Sequence, residues 1–343
     1  MVLNAADELL QNSKVLVVAG LGGVGKTTLS AALGARAASH HKKRVMVVTI
    51  DPARRLSDAL GTSGTSDEPV LVPVGGDGRL WAFTVDMAQS WDRLVLECAP
   101  NDEVVEQLLA NELYQSLTRK FIRSHDYIAL DYLAYVATEA KYDLIVVDTP
   151  PSVHVLDILD APDQIMELFE SRLLKWLTGT KQSSVAAQLS RPFRGLAERA
   201  LGDSFLADVS EFFFIFNELR TAFVQRAESV QVRLRAPGTR FVTVSTPETA
   251  AAASAVILND ALVGRGYHPA LLLQNKAWPD LRNVLWEQID AVQDETLSRA
   301  LRELHQRLPD ENSATSRLAT FDIAYQSSGL GSVDELSALF DRP

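Results

Sequence analysis

Residues Gly20 to Thr28 read Gly-Leu-Gly-Gly-Val-Gly-Lys-Thr-Thr, glycines spaced ahead of one lysine and two hydroxyls. Gly20, Gly25, Lys26 and Thr27 occupy the defining positions of the phosphate-loop pattern G-x-x-x-x-G-K-[ST]. In such a loop the backbone N–H groups turn inward around a polyphosphate, because glycine carries no Cβ to block the approach. The segment Gly22, Gly23, Val24, Gly25, Lys26, Thr27 and Thr28 is therefore the nucleotide cradle. Lys26 neutralises β/γ-phosphate charge and is the first catalytic candidate, and the Thr27 hydroxyl is a ligand for Mg²⁺.

Three further segments carry groups that such a loop needs. Asp51-Pro-Ala-Arg-Arg55 leaves a strand tip, where parallel α/β sheets bind ligands. Asp51 can orient an attacking water or hold Mg²⁺ through water, with Pro52, Arg54 and Arg55 forming the moving part of a first switch. A helix N-cap is the plain alternative for Asp51. The second segment is Asp148-Thr-Pro-Pro-Ser-Val-His154. Four apolar residues followed by Asp148 form a Walker B element that reaches Mg²⁺ through its water shell. The prolines restrict the backbone, so Thr149, Pro151 and the adjoining turn can swing together when the γ-phosphate leaves. His154 either links this switch to the helical insertion or is a hydrogen-bonded structural histidine. The third segment, Leu271-Leu-Leu-Gln-Asn-Lys-Ala-Trp-Pro279, brings Asn275 off a late strand. Its amide has the donor and acceptor that an adenine edge requires, although an Asn can also simply make a turn.

Short apolar strands alternating with helical stretches must position these groups, the pattern of a mostly parallel sheet with helices on both faces. Strands are expected at Lys14–Ala19, Arg44–Ile50, Arg79–Val85, Tyr142–Asp148, Thr239–Ser245 and His268–Gln274, with a weaker strand-and-helix ending over Arg317–Phe340. A helix starting at Thr28 points its N-terminus at the phosphates. Gly61–Gly78 reads as loop, Met87–Lys141 as mostly helical, and Pro162–Leu234 as a helical insertion with a mobile part near Gly179–Ser184. The run Phe212-Phe-Phe-Ile-Phe216 is most simply core packing, with a docking surface as the functional alternative. The division is an N-terminal part of an α/β P-loop NTPase core over 1–160, a helical insertion subdomain over 161–236 that part of 87–141 joins, and the rest of the core over 237–343.

A formal net charge of −11 argues against nucleic acid or an anionic membrane as partner. The single cysteine, Cys98, excludes an intramolecular disulfide and a Cys-x-x-Cys metal site within one chain. No run approaches the ~18 apolar residues of a transmembrane segment, and residues 1–13 lack the pattern of a signal peptide, so a cytoplasmic location is expected.

The loop Gly22–Thr28, Asp51-Pro-Ala with Leu56-Ser-Asp58, Asp148-Thr-x-Pro-x-x-His154 and Asn275 occur together and in order. In this the chain resembles the ArsA-type ATPases, which comprise the arsenite-pump ATPases and the guided-entry ATPases that target tail-anchored membrane proteins; bacterial anion-transporting ATPases are nearest in flavour. The resemblance covers most of the chain and is strongest over 14–62 and 142–165. It implies a dimer that closes on ATP and opens after hydrolysis, with a helical subdomain reading out the state. It also implies a client or membrane-associated partner protein.

The departures are specific. The family's loop begins Lys-Gly-Gly, and that lysine reaches the nucleotide across the dimer; here the position is Leu21. Arg54, Arg55 or a lysine-bearing paralogue are the available substitutes. The targeting ATPases' Cys-x-x-Cys and the arsenite ATPases' cysteine cluster are missing, and only four methionines are present to line a groove for transmembrane helices. Asp157 stands where the family often has arginine. The leading expectation is an ATP-hydrolysing dimeric switch. The alternative is a weakly catalytic nucleotide-binding subunit that activates a lysine-bearing paralogue in a heterodimer. A small-molecule kinase is disfavoured, since no arginine-rich lid is recognisable.

Overall fold

The computed structural model describes residues 5–50, 55–61, 68–120, 122–138, 141–150, 155–172, 174, 203–277, 319–324, 330 and 332–341. They form two compact units, the first from residues 1–85, 137–156 and 234–343, the second from 86–136 and 157–233.

The first unit is built on strands β1 (Val15–Gly20), β2 (Arg44–Thr49), β3 (Val70–Val72), β4 (Arg79–Thr84), β5 (Leu144–Asp148), β6 (Thr239–Ser245), β7 (Pro269–Ala277) and β8 (Ala319–Ala324). They make one eight-stranded sheet in the order β3-β4-β2-β5-β1-β6-β7-β8. Every neighbouring pair is parallel except β3 with β4. The central strands are apolar and β-branched on both faces because both are covered. Leu16, Val18, Val45, Val47, Val146, Val242 and Val244 pack on one side with α1 (Ala5–Asn12), α2 (Lys26–Ser39) and α12 (Val333–Ala338). Side chains of the other parity, among them Met46, Ile145, Val147 and Phe241, are equally buried. There the Thr243 hydroxyl donates to Asn259 Oδ1 of α11 (Thr249–Gly264) at 2.7 Å, which seats α11 on the second face. The move from β1 to β2 runs one way along the sheet and that from β6 to β7 the other, so right-handed crossovers place α2 and α11 on opposite faces. A short α3 (Arg55–Leu60) follows β2.

One expectation is corrected. The stretch read as loop over Gly61–Gly78 contains β3, which pairs antiparallel with β4 through Val70↔Ala82. Three residues at a sheet edge carry too little periodicity to be seen without the partner strand.

The second unit is helical: α4 (Met87–Cys98), α5 (Asp102–Ala110), α6 (Glu112–Lys120), α7 (Ile122–Thr138), most of α8 (Val155–Glu170), α9 (Asp203–Phe216) and α10 (Arg220–Leu234). Three starts are written by caps. Asp86 accepts from Gln89 N, Asn101 from Val104 N and Asn111 from Tyr114 N, each satisfying an otherwise orphaned amide. Its core is aromatic: Phe223 lies 6.2 Å from Trp91, 6.0 Å from Tyr127, 5.8 Å from Phe169 and 5.4 Å from Phe216, centroid to centroid. Phe212, Ile215 and Phe216 are buried here, so the Phe-rich run is core packing. Within this unit Asp131 is fully buried and pairs with Arg226 and, at 3.3 Å, with Arg93; Arg226 also binds Glu97. The region expected to be mobile near 179–184 lies outside the described residues. Among the described residues no helix is long and apolar enough to cross a membrane.

Candidate functional site

The C-terminal ends of β2, β5 and β1, adjacent in the sheet, meet the first turn of α2. Gly25, at φ 97°, makes the turn into the helix in the left-handed region that disfavours side chains. A Cβ there would also fall 2.2 Å from Asn275 Nδ2. Gly20 is required by close approach, since a Cβ would sit 2.3 Å from the Val244 carbonyl oxygen of β6. No side chain caps α2, so the first-turn amides and the helix dipole face the loop, an arrangement suited to an anion.

Asp148 is the hub below this loop and is 1% exposed. The register sets Val18 and Thr49 opposite it on its two neighbouring strands. It accepts hydrogen bonds from Thr27 Oγ1 at 2.8 Å, Thr49 Oγ1 at 3.1 Å and Ser30 Oγ at 3.4 Å. With its proton committed to Asp148, Thr27 Oγ1 can direct a lone pair outward. Hydroxyl and carboxylate oxygens, few in number and backed by a buried hub, match what Mg²⁺ takes from a protein when phosphates and waters complete its octahedron. Lys26, largely buried, folds over its own loop and donates to the Leu21 carbonyl at 2.8 Å. Thr149 donates through Oγ1 to the Val18 carbonyl at 2.8 Å and through its amide at 3.3 Å, so any movement of this strand end must break both bonds.

On the other flank, Asn275 Nδ2 donates to the Val24 carbonyl at 2.8 Å, and its Oδ1 accepts from the Lys276 amide at 2.9 Å. Lys276 Nζ lies 3.4 Å from the Gly23 carbonyl. Leu21, part-buried, packs against the hydrophobic core of the first unit.

The chain matches the model of the anion-transporting ATPase family, ArsA ATPase, over residues 13–304. It belongs to that family. Membership accords with the P-loop NTPase fold, to which the mostly parallel sheet and the loop at its edge conform. The ATPase ASNA1 homolog 2 of Paramecium tetraurelia is 34% identical over 165 residues, 47% of this chain and 48% of that protein. The ATPase ARSA2 of Chlamydomonas reinhardtii is 31% identical over 217 residues, covering 61% and 55%. The ATPase asna-1 of Caenorhabditis elegans is 28% identical over 167 residues, covering 46% and 47%. The chain thus spans about half the length of the curated relatives it matches.

In this ArsA-family chain the fold brings Gly22, Gly23, Val24, Gly25, Lys26, Thr27, Asp148 and Asn275 together, with Thr28 in the first turn of α2. Asp51, Pro52, Arg54, Pro151 and His154 lie outside the described residues, as does the side chain of Arg55. Sequence reasoning missed Ser30, Thr49 and Lys276. Ser30 had a legible signal, being one helical turn beyond Lys26 and Thr27. Thr49 had none, since only the β2·β5 register sets it against Asp148.

Proposed function

We propose that the chain is a Mg²⁺-dependent, ATP-hydrolysing dimeric switch whose nucleotide state is read out by the helical unit. The observation that carries the reading is Asp148 binding the Thr27 hydroxyl directly beneath the uncapped N-terminus of α2, with Lys26 folded over the same loop. In this reading the loop amides and Lys26 bind and orient the triphosphate, Thr27 holds Mg²⁺, and Asp148 holds it through water. Mg²⁺ bound there would supply neutralisation of the triphosphate's charge. Asp51 positions the attacking water. Asp51–Arg55 and Asp148–His154 act as the two switches, and Asn275 reads the base edge. A homodimer or a heterodimer with a paralogous ATPase, and a client or membrane-associated partner on the helical unit, complete the scheme.

The test is turnover of ATP by the purified protein, alone and mixed with a paralogue whose loop begins Lys-Gly-Gly. Activity that Lys26→Ala removes is the expected result; no such activity in either mixture would sink the reading. Retention of a client by an Asp51→Asn variant, and not by the unaltered protein, is the expected sign of a nucleotide-gated partner.

A second reading has its own observation. Leu21 packs against the core and carries no charge. The chain would then bind ATP, hydrolyse it slowly, and activate a lysine-bearing paralogue. Leu21→Lys separates the two, since a gain in turnover by the isolated protein supports the slow-subunit reading and unchanged turnover counts against it.

A further inference from the structure

Thr49 belongs to no motif of the phosphate loop, yet it closes β2 as the one hydroxyl in Arg44-Val-Met-Val-Val-Thr49. It is 1% exposed, where valine would fill about the same volume without a polar atom to satisfy. Its backbone is held on both sides. The Thr49 carbonyl accepts from Val85 N at 3.1 Å, and the following amide, Ile50 N, donates to the Asp148 carbonyl at 3.3 Å. A β-branched side chain on so fixed a backbone has few rotamers, and here its Oγ1 donates to Asp148 Oδ2 at 3.1 Å.

Thr27 Oγ1 donates to the same oxygen, Oδ2, at 2.8 Å, whereas Ser30 Oγ reaches Oδ1 at the longer distance of 3.4 Å. An ionised carboxylate has about four lone-pair sites, two on each oxygen. Thr27 and Thr49 therefore fill Oδ2 from two different elements, α2 and β2, and fix the plane of the carboxylate between them. An ion that this carboxylate serves is met through Oδ1, whose bond to Ser30 is the longest of the three. Ca²⁺ takes about 6–8 oxygens in flexible geometry and often both from one carboxylate, while Mg²⁺ is smaller, keeps several waters and takes few protein ligands. A carboxylate with one oxygen already filled cannot chelate a large ion, but it can still accept hydrogen bonds from the waters of a tightly hydrated one. Thr49 makes that difference, since Thr27 is itself placed at the metal in the reading above.

We propose that Thr49 is a positioning residue that makes the site select Mg²⁺ over Ca²⁺, by holding Asp148 Oδ2 so that the carboxylate cannot take an ion with both oxygens. This rests on the reading of Thr27 and Asp148 as a Mg²⁺ site, and the experiment separates the two. Calorimetry gives the affinity of the full chain for a non-hydrolysable ATP analogue with excess Mg²⁺, with excess Ca²⁺ and with no divalent ion. The unaltered chain is compared with Thr49→Val, Thr49→Ser and Thr49→Ala, thermal melts confirming that each is folded. In the unaltered chain, binding is expected to be about tenfold or more tighter with Mg²⁺ than with Ca²⁺. That preference should fall about tenfold in Thr49→Val and Thr49→Ala and stay within about twofold in Thr49→Ser, which keeps the hydroxyl. A preference unchanged in Thr49→Val, or in Thr49→Ala where the valine variant does not fold, overturns the proposal. So does an equal loss with Mg²⁺, with Ca²⁺ and without metal, because a merely structural threonine would move all three together. An unaltered chain that binds more tightly with either ion but equally with both removes the selectivity alone, whereas one indifferent to divalent ions removes the metal site with it.

Discussion

At the scale of single residues, the site depends on two positions where substitution has a calculable cost. Gly25→Ala meets both a left-handed backbone, which costs alanine about 1–2 kcal/mol, and the Asn275 amide at 2.2 Å. Nucleotide affinity is expected to fall, and Gly25→Ala should cost less when introduced into an Asn275→Ala background, where only the backbone cost remains; no cost on that background would show that φ carries no strain. Asp148→Asn keeps the shape but removes the charge that orients Thr27, Ser30 and Thr49. Groups that orient a metal's ligands are worth about 10–100-fold in metal affinity, so the Mg²⁺ concentration needed for half-maximal turnover should rise by that order. An unshifted Mg²⁺ titration would remove Asp148 from the metal's environment.

At the scale of elements, buried charge decides which helices are held and how pH loosens them. Arg36 on α2 binds Asp7 of α1 through Nε at 2.7 Å and Nη2 at 2.9 Å, and also reaches the Ser337 carbonyl of α12. Burial pushes the Asp7 carboxyl up, but the bonds from Arg36 and His41 outweigh it and hold the group below its ordinary value. A carboxylate depressed in the folded state contributes stability above its unfolded value, near about 4, and that contribution is lost as pH falls through the lower folded value. Thermal melts of Asp7→Asn should show lower stability at neutral pH and a flatter decline below about pH 4; parallel curves would deny the linkage. In the helical unit, burial raises Asp131, against the opposing pull of Arg226 and Arg93. Asp131→Ala leaves two guanidiniums with only Glu97 as a shared partner, and a loss of about 3–5 kcal/mol in urea unfolding is expected.

At the scale of the molecule, the two units give separate handles on one chain. Cys98 is buried in the aromatic core of the second unit, and burial pushes its thiol up to about 12, so almost no thiolate is present at neutral pH. Labelling of Cys98 therefore reports opening of that unit. Phe223→Ala, which removes the ring that Trp91, Tyr127, Phe169 and Phe216 pack around, should accelerate labelling in proportion to a loss of about 3–5 kcal/mol. Mg·ATP binds the first unit in the proposed scheme, so a change of several-fold in Cys98 labelling on adding a non-hydrolysable ATP analogue is the signature of coupling. Labelling blind to the analogue would count against a switch.

The residue order by itself marked the glycine-rich turn of Gly20–Thr28, the carboxylate that ends β5 and the alternation of strands with helices. Each is a local pattern: glycine spacing permits the loop backbone, and strands buried on both faces must be continuous apolar runs. Tertiary structure alone decided the rest. The β2·β5 register set Thr49 against Asp148, although 99 residues separate them. The three residues of β3 are a strand only because β4 pairs with them. A bulge between Gln274 and Ala277 turned Lys276, an ordinary surface lysine in sequence, onto a loop 253 positions away. Local chemistry specifies what a segment can bind, whereas long-range pairing specifies which distant side chain is delivered to it. The loop was therefore legible in the sequence, and its neighbours were not.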